Sequence, residues 1–301
     1  MEKRAIRLSI LLPTYNYVCV ALVRSLQQQA ASLDIDYEIL VGDDGSTNKD
    51  IISQNRVIDD LPHCHYLRFD TNRGRSVIRN VLVSHAQYEW LLLLDCDMEL
   101  CDMYFLANYV EQAVEGVIDG GICIGGDSQM LRHNIRFLYE QSSAPQHTAT
   151  QRSAAPYKSF RTTNYLIERS IALAFPFDER FRHYGYEDVL FGKELERNSI
   201  PIKHIDNPMM LTCYESNPVF VAKTEEGLRT LYQFRNELRG YSHLLTTVHN
   251  LQHIIPLRII RLFHRLAGRY IRRNLVGSHP FLCLFNIYKL GYYISLTNKT
   301  Q

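Results

Sequence analysis

No stretch of this 301-residue chain is apolar for long enough to cross a bilayer. The nearest candidate, Phe281 to Leu296, is broken by Asn286 and Lys289 and is too short. A cleaved leader is not expected either. The start, MEKRAIRLSILLPTYN, has basic residues before an apolar run, but that run is brief and lacks a small-residue cleavage site. The seven cysteines fall at irregular spacing, with no zinc or disulfide signature. They fit a reducing, cytoplasmic compartment, as small buried hydrophobes. Tandem repeats and low-complexity tracts are missing, and no nucleic-acid motif accompanies the basic residues, so nucleic acid is not an expected partner.

What is present is ordinary globular composition, 46% hydrophobic and 22% charged, enough for one large domain with an extension. The net charge of +1 conceals a strong asymmetry. Residues 1–222 hold 21 Lys+Arg against 29 Asp+Glu, a balance of −8, whereas residues 223–301 hold 12 against 3, or +9. The split predicts that the last quarter meets an anionic surface while the rest does the chemistry.

Strands and helices alternate through the first 126 residues. Strands are expected at Arg7–Pro13, Tyr37–Val41, His65–Phe69, Trp90–Leu94 and Gly121–Gly125. Helices are expected at Val18–Ala30, after a cap at Ser46 or Asn48, and at Arg75–His85 and Asp102–Glu115. Repeated βα units imply right-handed crossovers and a mostly parallel, Rossmann-like α/β sheet. From 127 to 165 the pattern loosens, and Ser142–Ala155 reads as a mobile loop. A helix starts near Glu187, strands follow at Ile200–Ile205 and near Met209–Tyr214, and the chain is helical after Val221. The expected division is a catalytic domain over 1–222, with nucleotide binding in about 1–126 and the acceptor side in 127–222, followed by a helical extension over 223–301.

The stretch WLLLLDCDME at 90–99 is the most informative. A short apolar run suits a strand buried on both faces, and its carboxyl end, where open α/β sheets bind ligands, carries Asp95 and Asp97. If extended geometry persists past Leu94, both carboxylates project the same way, and two hard oxygen donors can hold a divalent cation with a diphosphate. Cys96, between them, is out of phase and is expected to pack. The plain alternative is a strand end with solvated acids.

Four motifs stand in order: LLPTYN at 11–16, VGDDGS at 41–46, LLLLDCD at 91–97 and YGYEDVLFG at 184–192. With NRGRSVIRN at 72–80 and ESNPVFVAKTEEGL at 215–228, they resemble the family 2 glycosyltransferases of GT-A fold, which transfer a sugar from a nucleotide sugar with inversion. The last block is most similar to bacterial enzymes of surface-polysaccharide assembly. The resemblance implies a nucleotide-sugar donor, a UDP-sugar by expectation, and a glycan or lipid-linked acceptor. It puts Pro13, Thr14 and Tyr15 against the nucleoside, Asp44 on the uracil edge, Arg75 and Arg79 at the diphosphate, and the segment Asp95-Cys96-Asp97 along the nucleotide. Asp97, with Asp95, would hold Mn²⁺ or Mg²⁺. Asp188 would be the general base, with Gly185, Tyr186 and Glu187 at the acceptor. One departure stands out: Leu211 occupies the place where similar enzymes often carry a metal-binding His, and a leucine cannot coordinate a cation. His204 lies seven residues too early and reads as a strand residue.

In the tail, Arg258, Arg261, Arg265, Arg269 and Arg272 form one helical stripe opposite Ile260, Phe263, Ala267, Tyr270 and Ile271. This basic amphipathic pattern suits either an anionic lipid surface, placing the protein peripherally on the inner face of the cell membrane, or packing on the catalytic domain. Lys289 among Tyr288, Tyr292 and Tyr293 adds interfacial character. Two other readings remain: a degenerate transferase that only binds nucleotide sugar, and a phosphatase of the haloacid dehalogenase type. The latter also uses DxD after an apolar strand but carries Thr or Val where Glu99 stands.

Overall fold

The structure, a computed structural model, describes residues 6–297. The chain order begins β1 (Arg7–Thr14), α1 (Val20–Ala31), β2 (Asp36–Asp43), α2 (Lys49–Asn55), β3 (Cys64–Arg68), α3 (Arg75–His85) and β4 (Trp90–Leu94). It continues with β5 (Met98–Leu100), α4 (Phe105–Gln112), β6 (Val117–Asp119), β7 (Ile122–Ile124), α5 (Ile135–Ser143), α6 (Ala149–Ser153), α7 (Pro156–Ser159), β8 (Asn164–Glu168) and α8 (Arg169–Ala174). Then come α9 (Glu187–Arg197), β9 (Ile202–His204), β10 (Met209–Leu211), α10 (Asn217–Gln233), α11 (His243–Leu251), α12 (Leu257–Leu275) and α13 (Leu282–Leu296). These residues cluster into two compact units. The first runs through Gly125 and includes Pro145–Arg182 and Phe191–Cys213; the second holds Gly126–Ala144, His183–Leu190 and the chain from Tyr214 onward.

The first unit contains a seven-stranded sheet in the order β3-β2-β1-β4-β8-β6-β9. Neighbouring strands among β3, β2, β1 and β4 are parallel, as are β6 and β9, while β8 runs antiparallel to both β4 and β6. The expected mostly parallel α/β sheet is therefore present. Leu8, Ile10, Leu11 and Leu12 of β1 and Leu91 to Leu94 of β4 are all buried. Full burial explains why these strands read as continuous apolar runs instead of alternating ones. On one face Leu11, Leu40, Leu91 and Leu93 pack with Ile78 and Leu82 of α3 and with Phe177, Phe191 and Leu195. Ser9 is the polar interruption in β1, and its hydroxyl donates to Glu38 Oε1 at 2.6 Å.

Several elements differ from the sequence expectation. The strand expected at Gly121–Gly125 exists as β7 but joins a separate three-stranded sheet, β5-β10-β7. The segment expected to be a mobile loop contains the end of α5, a 3-10 turn at Ala144–His147 and α6. Its anchor is Arg152, which is buried, donates to the carbonyls of His147, Asp119 and Ile205, and ion-pairs with Asp119 at 3.1 Å. His204 is a strand residue as expected, its Nδ1 3.2 Å from Asp119 Oδ2.

The second unit is helical. Ile135 of α5, Val221 of α10, Ile271 and Leu275 of α12, and Phe285 and Tyr288 of α13 form its core. Glu225 of α10 accepts from Arg272 Nε and from the Tyr288 hydroxyl, each at 2.7 Å, tying α12 and α13 to α10. Lys289, half-buried, sits over the rings of Tyr139 and Phe285 at 4.4 and 4.7 Å. Burial there lowers its ammonium to a pKa of about 8. Among the described residues no helix is long and apolar enough to cross a membrane.

Candidate functional site

The chain fills the sheet outward from β1 through β2 to β3, then returns to place β4 on the other side of β1. The reversal puts a topological switch point at the carboxyl ends of β1 and β4, the position where such sheets take ligands. The β1 end carries Pro13, Thr14 and Tyr15; the β2 end carries Asp43 and Asp44; the β4 end carries Asp95, Cys96 and Asp97. Topology thus gathers these sequence-predicted residues on one edge.

Each loop on that edge is fixed by its own polar groups. Thr14 is buried and donates to the Tyr17 carbonyl at 3.1 Å, while Tyr15 is 47% exposed, leaving ring area for a ligand. Asn16, at φ 48°, donates its backbone N–H to Ser46 Oγ and accepts from the N–H groups of Thr47 and Asn48 through Oδ1. This laces the β1 end to the β2 end. Asp43 is structural, accepting from the Ser46 N–H and the Tyr66 hydroxyl. Asp44 is 3% exposed and accepts from the backbone N–H of Arg73 at 3.0 Å and of Gly74 at 2.8 Å. Its carboxylate sets the entry to α3. Gly45 takes φ +75°, and a Cβ there would lie 2.5 Å from the Thr71 carbonyl carbon, so only glycine fits the VGDDGS turn.

Arg75 and Arg79 share a face of α3 in sequence, yet their surroundings differ. Arg75 is exposed at the first turn. Arg79 is 2% exposed, ion-pairs with Asp95 Oδ1 at 2.9 Å, and places its guanidinium over the Phe177 ring. It acts on Asp95.

Extended geometry does not persist past Leu94. Residues 96 and 97 form a turn before β5, so the expectation that Asp95 and Asp97 project alike by strand alternation does not hold. Tight return into β5, which pairs with β10, forces that turn. Burial pushes the Cys96 thiol well above its ordinary value, consistent with the expected packing role. A residue missed from sequence is Tyr17. Burial first, then the nearby Cys213, Asp97, Cys96 and Glu99, push its phenol up to about 12. Leu211 lies in β10 at 3% exposure, between Met98 and Ile124 in the ladder, and offers no donor. Among the described residues no three His, Cys, Asp or Glu side chains form a metal-holding cluster.

Gly185, Tyr186, Glu187 and Asp188 belong to the second unit. Gly185 at φ +96° and Tyr186 at φ +72° are consecutive left-handed residues, an uncommon state for tyrosine. The turn is held by α10: Glu226 Oε1 accepts from the Tyr184 N–H at 3.3 Å and lies 3.2 Å from His183 Nδ1, and Thr230 donates to the Tyr184 carbonyl. A Cβ on Gly185 would touch the Gly227 Cα at 3.4 Å. The turn delivers Glu187, which is buried, and Asp188, which is half-buried, to the first turn of α9. Burial, with Tyr139 and then Asp188 close by, raises the Tyr186 phenol.

The sequence profile described as "Glycosyl transferase family 2" matches residues 9–172, more than half the chain. The chain belongs to this family. The match runs from β1 to α8 and takes in Asp44, Asp95 and Asp97, while Gly185 to Asp188 lie beyond it. Among curated proteins the chain is 24% identical over 237 residues to a chondroitin synthase of Escherichia coli, covering 67% of this chain and 34% of that one. It is 25% identical over 243 residues to a hyaluronan synthase of Pasteurella multocida, covering 69% of this chain and 24% of that one. It therefore spans about a third and about a quarter of these relatives' length. Among solved structures, a mannosyltransferase of Pyrobaculum calidifontis in complex with GDP-Man and Mn²⁺ superposes with TM-score 0.54 at 13% identity, over 99% of this chain and 89% of that one. S. aureus TarS 1–349 in complex with UDP gives 0.51 at 18% identity, over 97% and 91%. At these identities the likeness is one of GT-A fold.

Proposed function

We propose that the protein transfers a sugar from a nucleoside-diphosphate sugar, a UDP-sugar by preference, to a glycan or lipid-linked acceptor hydroxyl with inversion, in the synthesis of a cell-surface polysaccharide. The observation that carries this is the switch-point edge of a family 2 sheet, where the ends of β1, β2 and β4 bring Thr14, Asp44, Asp95 and Asp97 to one edge. Relatives named as chondroitin and hyaluronan synthases, and a fold relative bound to UDP, support the donor class.

In this reading Pro13, Thr14 and Tyr15 bound the nucleoside, and Asp44 offers acceptor oxygens to the base edge while fixing the loop that leads to Arg75. Arg75, exposed at the start of α3, meets the diphosphate; Arg79 orients Asp95 from behind. Mg²⁺ and similar ions are held by one or two carboxylates with substrate phosphates and water, so Asp97, with Asp95, would hold the cation without a side chain at Leu211. When bound, Mn²⁺ or Mg²⁺ supplies Lewis-acid neutralisation of the departing diphosphate. Asp188 takes the proton of the acceptor hydroxyl as its oxygen attacks from the side opposite the leaving group, which requires no covalent intermediate. Tyr186 and Glu187 shape the acceptor side. A lipid-linked acceptor would bring the protein to the anionic inner face of the cell membrane.

Leu211 favours one other reading, a protein that binds nucleotide sugar without turnover. A thermal-shift screen of nucleotide sugars with and without Mn²⁺, followed by transfer assays on a broad acceptor panel, separates the two. Stabilisation by UDP-sugars with transfer supports the proposal. Stabilisation without hydrolysis or transfer supports the binder, and no stabilisation by any nucleotide sugar overturns both.

A further inference from the structure

Helix α12 shows two apolar faces where the sequence predicted one. Ile271 and Leu275 enter the core of the helical unit, with Ala267 packed against it. Phe263 and Tyr270, expected on that same face, instead point outward, 51% and 66% exposed, together with Ile259 at 54%, Leu262 at 53% and Leu266 at 67%. Positions 259, 262, 263, 266 and 270 recur at helical spacing, so they form one continuous stripe. Ile254, 76% exposed, extends it just before the helix. An exposed apolar stripe of this length marks a binding surface.

Its flank identifies the occupant. Arg258, Arg265 and Arg269 lie along one side of the stripe and are exposed. Arg261 and Arg272 are drawn inward, to Thr297 Oγ1 at 3.0 Å and to Glu225. From residue 238 to residue 301 the sequence contains no Asp or Glu at all, against nine Lys and Arg. A second copy of this chain would bring like charge to like charge across the stripe. A bilayer of anionic phospholipid satisfies both halves, taking the apolar side chains about 5–10 Å into the headgroup boundary and leaving the guanidinium groups among the phosphates.

We infer that α12 lies in the plane of an anionic membrane surface and inserts Ile259, Leu262, Phe263, Leu266 and Tyr270. The inference deepens the transferase reading by naming its membrane partner but does not depend on it, because the test needs neither donor nor acceptor. The full chain is sedimented with vesicles of phosphatidylcholine alone and of phosphatidylcholine with phosphatidylglycerol. Expected are co-sedimentation with the anionic vesicles only, weakening as salt rises, and a loss of about tenfold or more in Leu262→Glu/Leu266→Glu. Each of Arg258→Gln, Arg265→Gln and Arg269→Gln should cost roughly fivefold. Circular dichroism is the control for the folding of these surface variants. No binding to anionic vesicles at low salt overturns the inference, as does a double variant that binds like the wild type. A concentration-dependent dimer abolished by the same double variant, with no vesicle binding, also overturns it and assigns the stripe to a second copy.

Discussion

Arg79 and Asp95 show how a single buried pair can organise the edge on which the proposed chemistry rests. A fully buried guanidinium with one partner removed leaves a carboxylate without its counter-charge, so Arg79→Met should cost about 2 kcal/mol, less than a wholly buried pair because Asp95 is partly exposed. The check is the denaturation midpoint, with Asp95→Asn as the companion variant. His147 gives a second residue-scale expectation. Burial first, then Arg161 and Arg152 nearby, lower its imidazole from 6.5 to about 4. In the unfolded chain the ring gains its proton near 6.5, whereas in the folded protein it stays neutral until about pH 4. The neutral ring's contribution is therefore complete above pH 6.5 and is lost as pH falls from 6.5 towards 4. His147→Gln should flatten stability across that window relative to the wild type, measured by urea unfolding at fixed pH steps.

At the scale of elements, legibility followed length and chemistry. The strands β1, β2 and β4 were readable because burial on both faces demands largely apolar residues; of the two candidate caps for α2, Ser46 and Asn48, it is Asn48 that accepts from the N–H groups of Asp50 and Ile51. The three-residue strands β5 and β6 were not read, since three residues cannot show a period, whereas β7, β9 and β10 were read as parts of slightly longer stretches. Strand β8 was hidden because its antiparallel insertion between β4 and β6 is a tertiary choice. The short α6 was missed because Ser, Ala, Thr and Gln look like loop composition until the buried Arg152 is seen to anchor them. In the site, Asp95 and Asp97 were legible as two carboxylates at the end of a buried strand. The turn separating its members, and the diversion of Arg79 to Asp95, depend on β5 and α3 and were not. The turn before α9 makes an element-scale prediction. Glu226→Ala removes its contacts with His183 and the Tyr184 N–H, so it should lower transfer more than it lowers nucleotide affinity, read as a kcat loss with a nearly unchanged KM for donor. Gly45→Ala tests the other turn: a Cβ forced against Thr71 at positive φ should cost about 1–3 kcal/mol and weaken nucleotide binding, read by thermal shift and titration.

For the whole molecule, the sharp division of charge along the chain gains a physical meaning from the fold. The acidic part builds the sheet and its switch-point edge, whose carboxylates Asp95 and Asp97 would hold the cation and diphosphate of the proposed reaction. The acid-free tail displays an apolar stripe edged with arginines. A donor that binds only the folded state should stabilise it by about 2.7 kcal/mol at a hundredfold excess over Kd, seen as a concentration-dependent rise in Tm. The central claim is that Asp188 serves as the base for a sugar transfer whose donor is held by Asp95 and Asp97. Its most direct measurement compares wild type with Asp188→Asn, assaying sugar transfer and UDP binding on the same preparations. The account predicts that transfer is abolished while UDP binds as before; near-normal turnover in the variant would contradict it.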